Sequence, residues 1–247
     1  MTPDPQDRLY GQPLERVEDF AFDARVAAVF PDMIQRSIPG YTSLIPLLGL
    51  VAAEHLQPGS HCYDLGCSLG AASLAIRRHA GGRNDCRILA VDNSLPMLER
   101  LRQLLEQQPQ SGPPIDLVCA DIRDFATPEA SVIVLNFTLQ FLPPDERDGL
   151  LARLCRSLRP GGLLILSEKV RFSDPMQEAR FDALHQAYKR ANGYSELEIG
   201  QKRSALERVL RPDSPERLVQ RLPAAGFGTH SRWFQSLNFL SYLAWKD

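Results

Sequence analysis

Asp64, Gly66, Ser68 and Gly70 alternate through Asp64-Leu65-Gly66-Cys67-Ser68-Leu69-Gly70, directly after the apolar run His61-Cys62-Tyr63. An acid followed by small residues at a strand end makes a tight turn with bare backbone that a ligand can approach, and Gly66 and Gly70 permit the conformations it needs. Two further runs end in acids: Ile88-Leu89-Ala90-Val91-Asp92-Asn93 and Leu117-Val118-Cys119-Ala120-Asp121-Ile122. Asp92, acceptor-only when ionised, suits the paired hydroxyls of a ribose. Asp121 can accept from an exocyclic amine while Ile122 offers an apolar flank to a purine. Asn136, closing Val132-Ile133-Val134-Leu135, faces the same crevice. Any one of these acids is equally a turn residue or a helix cap. A glycine turn, an acid and another acid on successive strands describe a nucleoside-binding edge.

The elements that must hold these residues are legible from apolar runs and turn signals. Strands are expected over 61–65, 87–92, 115–120, 131–136 and 162–168, and helices over 70–80, 95–107 and 144–158. Ser94 is placed to cap the second of these helices, with Pro96 in its first turn. Pro160-Gly161-Gly162 reads as a sharp stop before Leu163-Leu164-Ile165-Leu166, a strand covered on both faces. Alternation of this kind predicts an α/β, mostly parallel, doubly wound sheet, with ligands at the carboxyl ends of its strands. Upstream, a helical pattern at Val26, Ala27, Val29 and Phe30 is interrupted by Pro31, and a second helix is expected over 42–55. Downstream, 173–212 is helical and charged, with a capping box at Ser195-Glu196-Leu197-Glu198. A short helix from Ser214-Pro215 and two strands over 228–235 and 237–245 would close the sheet in antiparallel fashion. Residues 1–19 read as a polar N-terminal arm and 20–247 as one domain.

Composition narrows the function classes. At 247 residues and 44% hydrophobic, the chain carries enough apolar residues for a full core. The formal net charge of −2, without a basic stripe, disfavours direct nucleic-acid binding. Arg147, Arg153, Arg156 and Arg159 read as the wet face of a helix. Five cysteines without a CxxC pair argue against disulfides or structural zinc, and no metal site is expected. Cys62, Cys119 and Cys155 are expected in the core. No apolar signal core or membrane-length run is evident, so a cytoplasmic location is expected.

A nicotinamide site would show GxGxxG with an acid about 20 residues on, whereas Asp-x-Gly-x-Ser-x-Gly followed by Leu158-Arg159-Pro160-Gly161-Gly162 resembles the class I S-adenosylmethionine-dependent methyltransferases. Ser68 stands where that family usually has glycine. The blocks at 30–41 (opening Phe30-Pro31-Asp32-Met33), 63–70, 134–142 (Val134-Leu135-Asn136-Phe137) and 189–199 (Lys189-Arg190-Ala191-Asn192-Gly193-Tyr194) further resemble the carboxy-S-adenosyl-L-methionine synthase family, over nearly the whole chain. The resemblance implies a Rossmann-like class I methyltransferase fold with helical insertions. It implies conversion of S-adenosylmethionine and prephenate to carboxy-S-adenosylmethionine, phenylpyruvate and water, the product serving a partner enzyme that carboxymethylates a tRNA wobble uridine. It also implies that Tyr41, Gly66, Cys67, Ser68, Asp92, Asn93, Asp121, Ile122, Asn136 and Arg203 line the nucleoside site. Arg203 would anchor the product's carboxylate across a homodimer interface built on 173–212. Read from the residues alone, Lys202-Arg203 is a solvated helix face. Lys169, Arg171 and Tyr194 are candidates for prephenate's carboxylates and hydroxyl, and no histidine stands out as a general base. An ordinary small-molecule methyltransferase and a non-catalytic nucleoside-binding partner protein remain open.

Overall fold

The computed structural model describes residues 5–108 and 111–247. Two helices, α1 (Ala24–Ser37) and α2 (Tyr41–Glu54), precede the sheet. The chain then alternates through β1 (His61–Leu65), α3 (Ala71–His79), β2 (Arg87–Asp92), α4 (Leu95–Glu106), β3 (Ile115–Cys119), β4 (Ala130–Asn136), α5 (Arg147–Ser157) and β5 (Leu158–Lys169). Helices α6 (Pro175–Ala191) and α7 (Glu196–Leu206) form the insertion, and α8 (Pro215–Ala224), β6 (Thr229–Ser236) and β7 (Phe239–Trp245) finish the chain.

The strands order as β3-β2-β1-β4-β5-β7-β6. β1, β2, β3, β4 and β5 run parallel, while β7 is antiparallel to both β5 and β6. The expected mixed, doubly wound sheet is therefore present. The order reverses between β1 and β4, so the carboxyl ends of β1, β2, β3 and β4 open onto one crevice at the switch point. Ser94 caps α4 through the Met97 amide at 3.3 Å, and the Ser195–Glu198 capping box opens α7.

Leu135, Leu151, Leu154, Leu164 and Leu166 are wholly buried where α5 and α8 cover one sheet face. Ile76, Ile88, Val132 and Ile165 do the same under α2 and α3. Each such side chain contributes about 1.5–3 kcal/mol of burial.

Four expectations are corrected. Pro31 does not interrupt α1. Burial of Val26, Ala27, Val29, Phe30 and Met33 offsets the missing amide bond, and Asp23 caps the helix at the Val26 amide, 2.9 Å away. Pro160-Gly161-Gly162 is no stop, because β5 starts at Leu158 and Gly161, at φ +71°, lets its amide reach Lys246 O at 2.9 Å. Arg147 is not on a wet face. It is 1% exposed, pairs with Asp213 at 3.0 Å and donates to the carbonyls of Leu142 and Arg211, because the chain after α7 crosses over the start of α5. Cys119 is exposed rather than core, since it ends the edge strand β3, whereas Cys62 and Cys155 are buried.

The polar stretch before α1 takes no regular structure over 5–19 but is tied down. Asp7 is buried against α1 and α7, and Gln201 of α7 bonds to the backbone at Tyr10, Gln12 and Leu14. Among the described residues no helix is long and apolar enough to cross a membrane.

Candidate active site

The turn after β1 is built by backbone conformation and one acid. Gly66 and Gly70 adopt φ of +77° and +70°, and Ser68, in the position of the usual glycine, holds φ +48°. The Gly66 and Cys67 amides both donate to Val91 O, at 2.8 and 3.0 Å, which locks the turn to β2. Asp64 is buried beneath it and accepts from the Ser73 amide at 3.0 Å and hydroxyl at 2.6 Å, stapling the turn to the start of α3. Burial, partly opposed by Ser73, raises its carboxyl to about 6.

Asp92 organises the next strand end. Its two oxygens accept the Ser68 and Ser94 amides, each at 2.8 Å, so one carboxylate joins the glycine turn to the start of α4. Burial pushes its pKa up, opposed by these amides. Each oxygen keeps a lone pair for a ligand hydroxyl. Asp121 arrives engaged: Arg123 grips it through a salt bridge at 2.7 Å and holds its carboxyl below the usual range. Asn136 Oδ1 is buried without a hydrogen-bond partner among the described residues, an acceptor left for something that is not protein.

These residues line two cavities that share Gly66, Ser68, Asn136 and Phe137 in their walls. The larger, about 360 Å³, takes in Asp92, Asn93, Asp121 and Ile122. The smaller, about 260 Å³, takes in Tyr41, Asp64 and Cys67. Of the ten expected site residues, nine therefore surround one turn. The edge offers a nucleoside a carboxylate with free lone pairs, an apolar side chain and, further along, an orphaned acceptor. The Cys67 thiol is held far from ionisation, chiefly by burial, so it is a small wall rather than a nucleophile.

Arg203 does not line either cavity of its own chain. Its side chain is 68% exposed and pairs with Asp182 at 3.3 Å. Two prephenate candidates are displaced by the structure. Arg171 is 74% exposed and reaches toward Glu178. Tyr194 is buried with its hydroxyl donated to Asp7 at 2.5 Å and Arg36 stacked on its ring, so neither lies on the cavity wall. Lys169 does.

Residues 63–162 match the family model for the methyltransferase domain. The chain is also 54% identical to a carboxy-S-adenosyl-L-methionine synthase of Geobacter sp. strain M21, over 97% of this chain and 98% of that one. It is 54% identical to another of Shewanella oneidensis, over 98% of each. The chain belongs to the carboxy-S-adenosyl-L-methionine synthase family. Among solved structures it is similar to an N-methyltransferase from Bradyrhizobium japonicum in complex with S-adenosyl-L-homocysteine, with TM-score 0.59, 16% identity and 90% and 95% of the two chains covered. That likeness establishes the fold.

In this member of the synthase family, sequence reasoning passed over Lys189 and Lys202, which join Lys169 on the larger cavity. No histidine stood out as a general base, yet His185 is on that wall too. The ring lines the cavity, meets Ser37 O through Nε2 at 2.8 Å and lies against Phe239, and burial depresses it to about 3. His185 is therefore neutral and anchors α6 to the end of α1. The one available signal was the basic character of Lys189, Arg190 and Lys202, which reads the same on a solvated helix.

Proposed function

We propose that the chain makes carboxy-S-adenosylmethionine from S-adenosylmethionine and prephenate, releasing phenylpyruvate and water. The observation that carries this reading is the end-to-end similarity to relatives named carboxy-S-adenosyl-L-methionine synthase. The site accords with it. Adenosine takes the edge of Asp92, Asn93, Asp121 and Ile122, and the sulfonium arm follows Gly66, Cys67 and Ser68 toward Asn136 and Tyr41. The sulfonium acidifies its methyl group. Prephenate loses carbon dioxide and hydroxide as its ring aromatises; the methyl carbon bonds to the carbon dioxide, and the hydroxide takes the methyl proton away as water. The reaction balances without any other co-reactant. The protein's part is to position the two substrates and keep competing acceptors out.

The product bears a carboxylate that an ordinary methyl donor lacks. Arg203 of the partner subunit supplies the matching guanidinium fork in a homodimer built on α6 and α7. The outward position of Arg203 on its own chain supports this arrangement. The product serves a tRNA carboxymethyltransferase in the cytoplasm, and the net charge of −2 accords with leaving the RNA to that enzyme. Incubation with both substrates, followed by mass spectrometry of the nucleoside, tests the reading. A nucleoside heavier by one carbon dioxide supports it; S-adenosylhomocysteine instead would mean methyl transfer, and an unchanged nucleoside a binding protein.

A further inference from the structure

Three lysines reach the larger cavity from separate elements: Lys169 at the end of β5, Lys189 in the last turn of α6 and Lys202 in α7. The Lys202 ammonium is committed to Asp7 at 3.3 Å and Ser37 Oγ at 3.1 Å. Among the described residues, the ammonium groups of Lys169 and Lys189 have no hydrogen-bond or ion-pair partner. The nearest acids are hydrogen-bonded elsewhere, Asp182 to Arg203 and Gln186 and Glu178 to the Phe172 amide, and act on the two lysines only as charges at longer range. His185, neutral, adds no charge. Burial draws Lys189 down to about 7, helped by the charges of Lys169 and Lys202; burial also lowers Lys169, against the pull of Asp182 and Glu178, and Lys202, against the pull of Asp7. Holding ammonium groups without an ion-pair partner in a sheltered site costs folding free energy, a sign that the cluster serves something other than stability. Much of the remaining cavity wall is apolar, with Phe22, Ile34, Phe141 and Phe239.

We propose that Lys169 and Lys189, backed by Lys202, form the receptor for the carboxylates of a dianionic, ring-bearing co-substrate, seating the carboxyl donor at the insertion end of the cavity and the nucleoside at the strand-end edge. The inference rests on the reading above that the second substrate is a dicarboxylate. Two free ammonium groups match two carboxylates, while the aromatic and aliphatic wall suits the ring between them. The same placement explains why the insertion folds over the strand ends: it completes the substrate site with charges the sheet does not supply.

The test is the rate of carboxy-S-adenosylmethionine formation by the full chain as prephenate is varied, for wild type, Lys169→Gln, Lys189→Gln and Lys189→Arg. Losing one charged contact should raise KM for prephenate about 10- to 100-fold, with nucleoside affinity within about twofold of wild type. Tm should stay level or rise, because a buried ammonium without an ion-pair partner has gone, and Lys189→Arg should recover most of the KM. A merely structural role would instead lower Tm and nucleoside affinity together. Unchanged KM in both Gln variants overturns the receptor while the synthase reading stands. If wild type forms no carboxylated product, that reading fails by itself. Calorimetric titration of prephenate then still tests the receptor, which requires binding by wild type that the Lys169→Gln, Lys189→Gln double variant loses. Absent binding, or equal binding by both, overturns it.

Discussion

Gly66→Ala isolates the physical requirement on which the nucleoside edge is built. The residue sits at φ +77°, and a Cβ there would lie 2.5 Å from Thr138 Oγ1 and closer still to Thr138 Cγ2. Two costs add: about 1–2 kcal/mol for an L-residue in the left-handed region, and about 1–3 kcal/mol for forcing a methyl group into occupied space. A total of about 2–5 kcal/mol in a chain of this size lowers Tm by at least about 4 °C, at 2–4 °C per kcal/mol. Because the displaced backbone carries Cys67 and Ser68 against Asp92, S-adenosylmethionine affinity should fall as well. Thr138→Ala separates the two costs, since it removes both clashing atoms but not the backbone strain. Thermal unfolding of the two single variants and the double variant forms a cycle in which Thr138→Ala should return about 1–3 kcal/mol to Gly66→Ala. A stable, tight-binding Gly66→Ala protein, or strictly additive effects, would refute this account of the turn.

Arg203→Ala should leave folding intact, because the side chain is largely exposed, and weaken retention of the carboxylated product by about one to two decades. Calorimetry with the isolated product checks this, and unchanged affinity removes Arg203 from the site. His185 sets a pH dependence. Buried and neutral until about pH 3, but taking a proton near 6.5 when unfolded, it makes stability fall as pH drops through that interval. Asp64 acts in the opposite sense: held to about 6 against 3.8 unfolded, it withdraws stability as pH rises between those values. Urea midpoints for His185→Gln should therefore gain on wild type as pH falls from 6.5 toward 4, by at most about 1.4 kcal/mol per pH unit. Parallel profiles would mean that His185 is not held neutral.

Where local chemistry decides the structure, the residues were readable. The acids at strand ends, the Ser94 cap, the capping box at Ser195 and the glycine turn each follow from a few neighbouring positions, and nine of ten expected site residues gather around that turn. What failed was decided by chain segments far apart in sequence. Arg147 reads as solvated because nothing near it shows that Asp213 crosses above it. Cys119 reads as core because strand order, which puts β3 at the edge, is not a local property. Lys189 and Lys202 lie among charged neighbours on an ordinary-looking helical insertion. Only its docking over the strand ends turns their ammonium groups inward. Pro31 shows the reverse error, a local breaker outweighed by the apolar face around it.

Isotope transfer tests the central claim most directly. The chain is supplied with S-adenosylmethionine carrying a fully deuterated methyl group and prephenate labelled in its ring carboxylate. The account predicts one nucleoside product that holds the labelled carbon and retains two of the three deuterium atoms. Label left in solution as bicarbonate with the methyl group intact, or deuterated methyl appearing on another molecule, would contradict it.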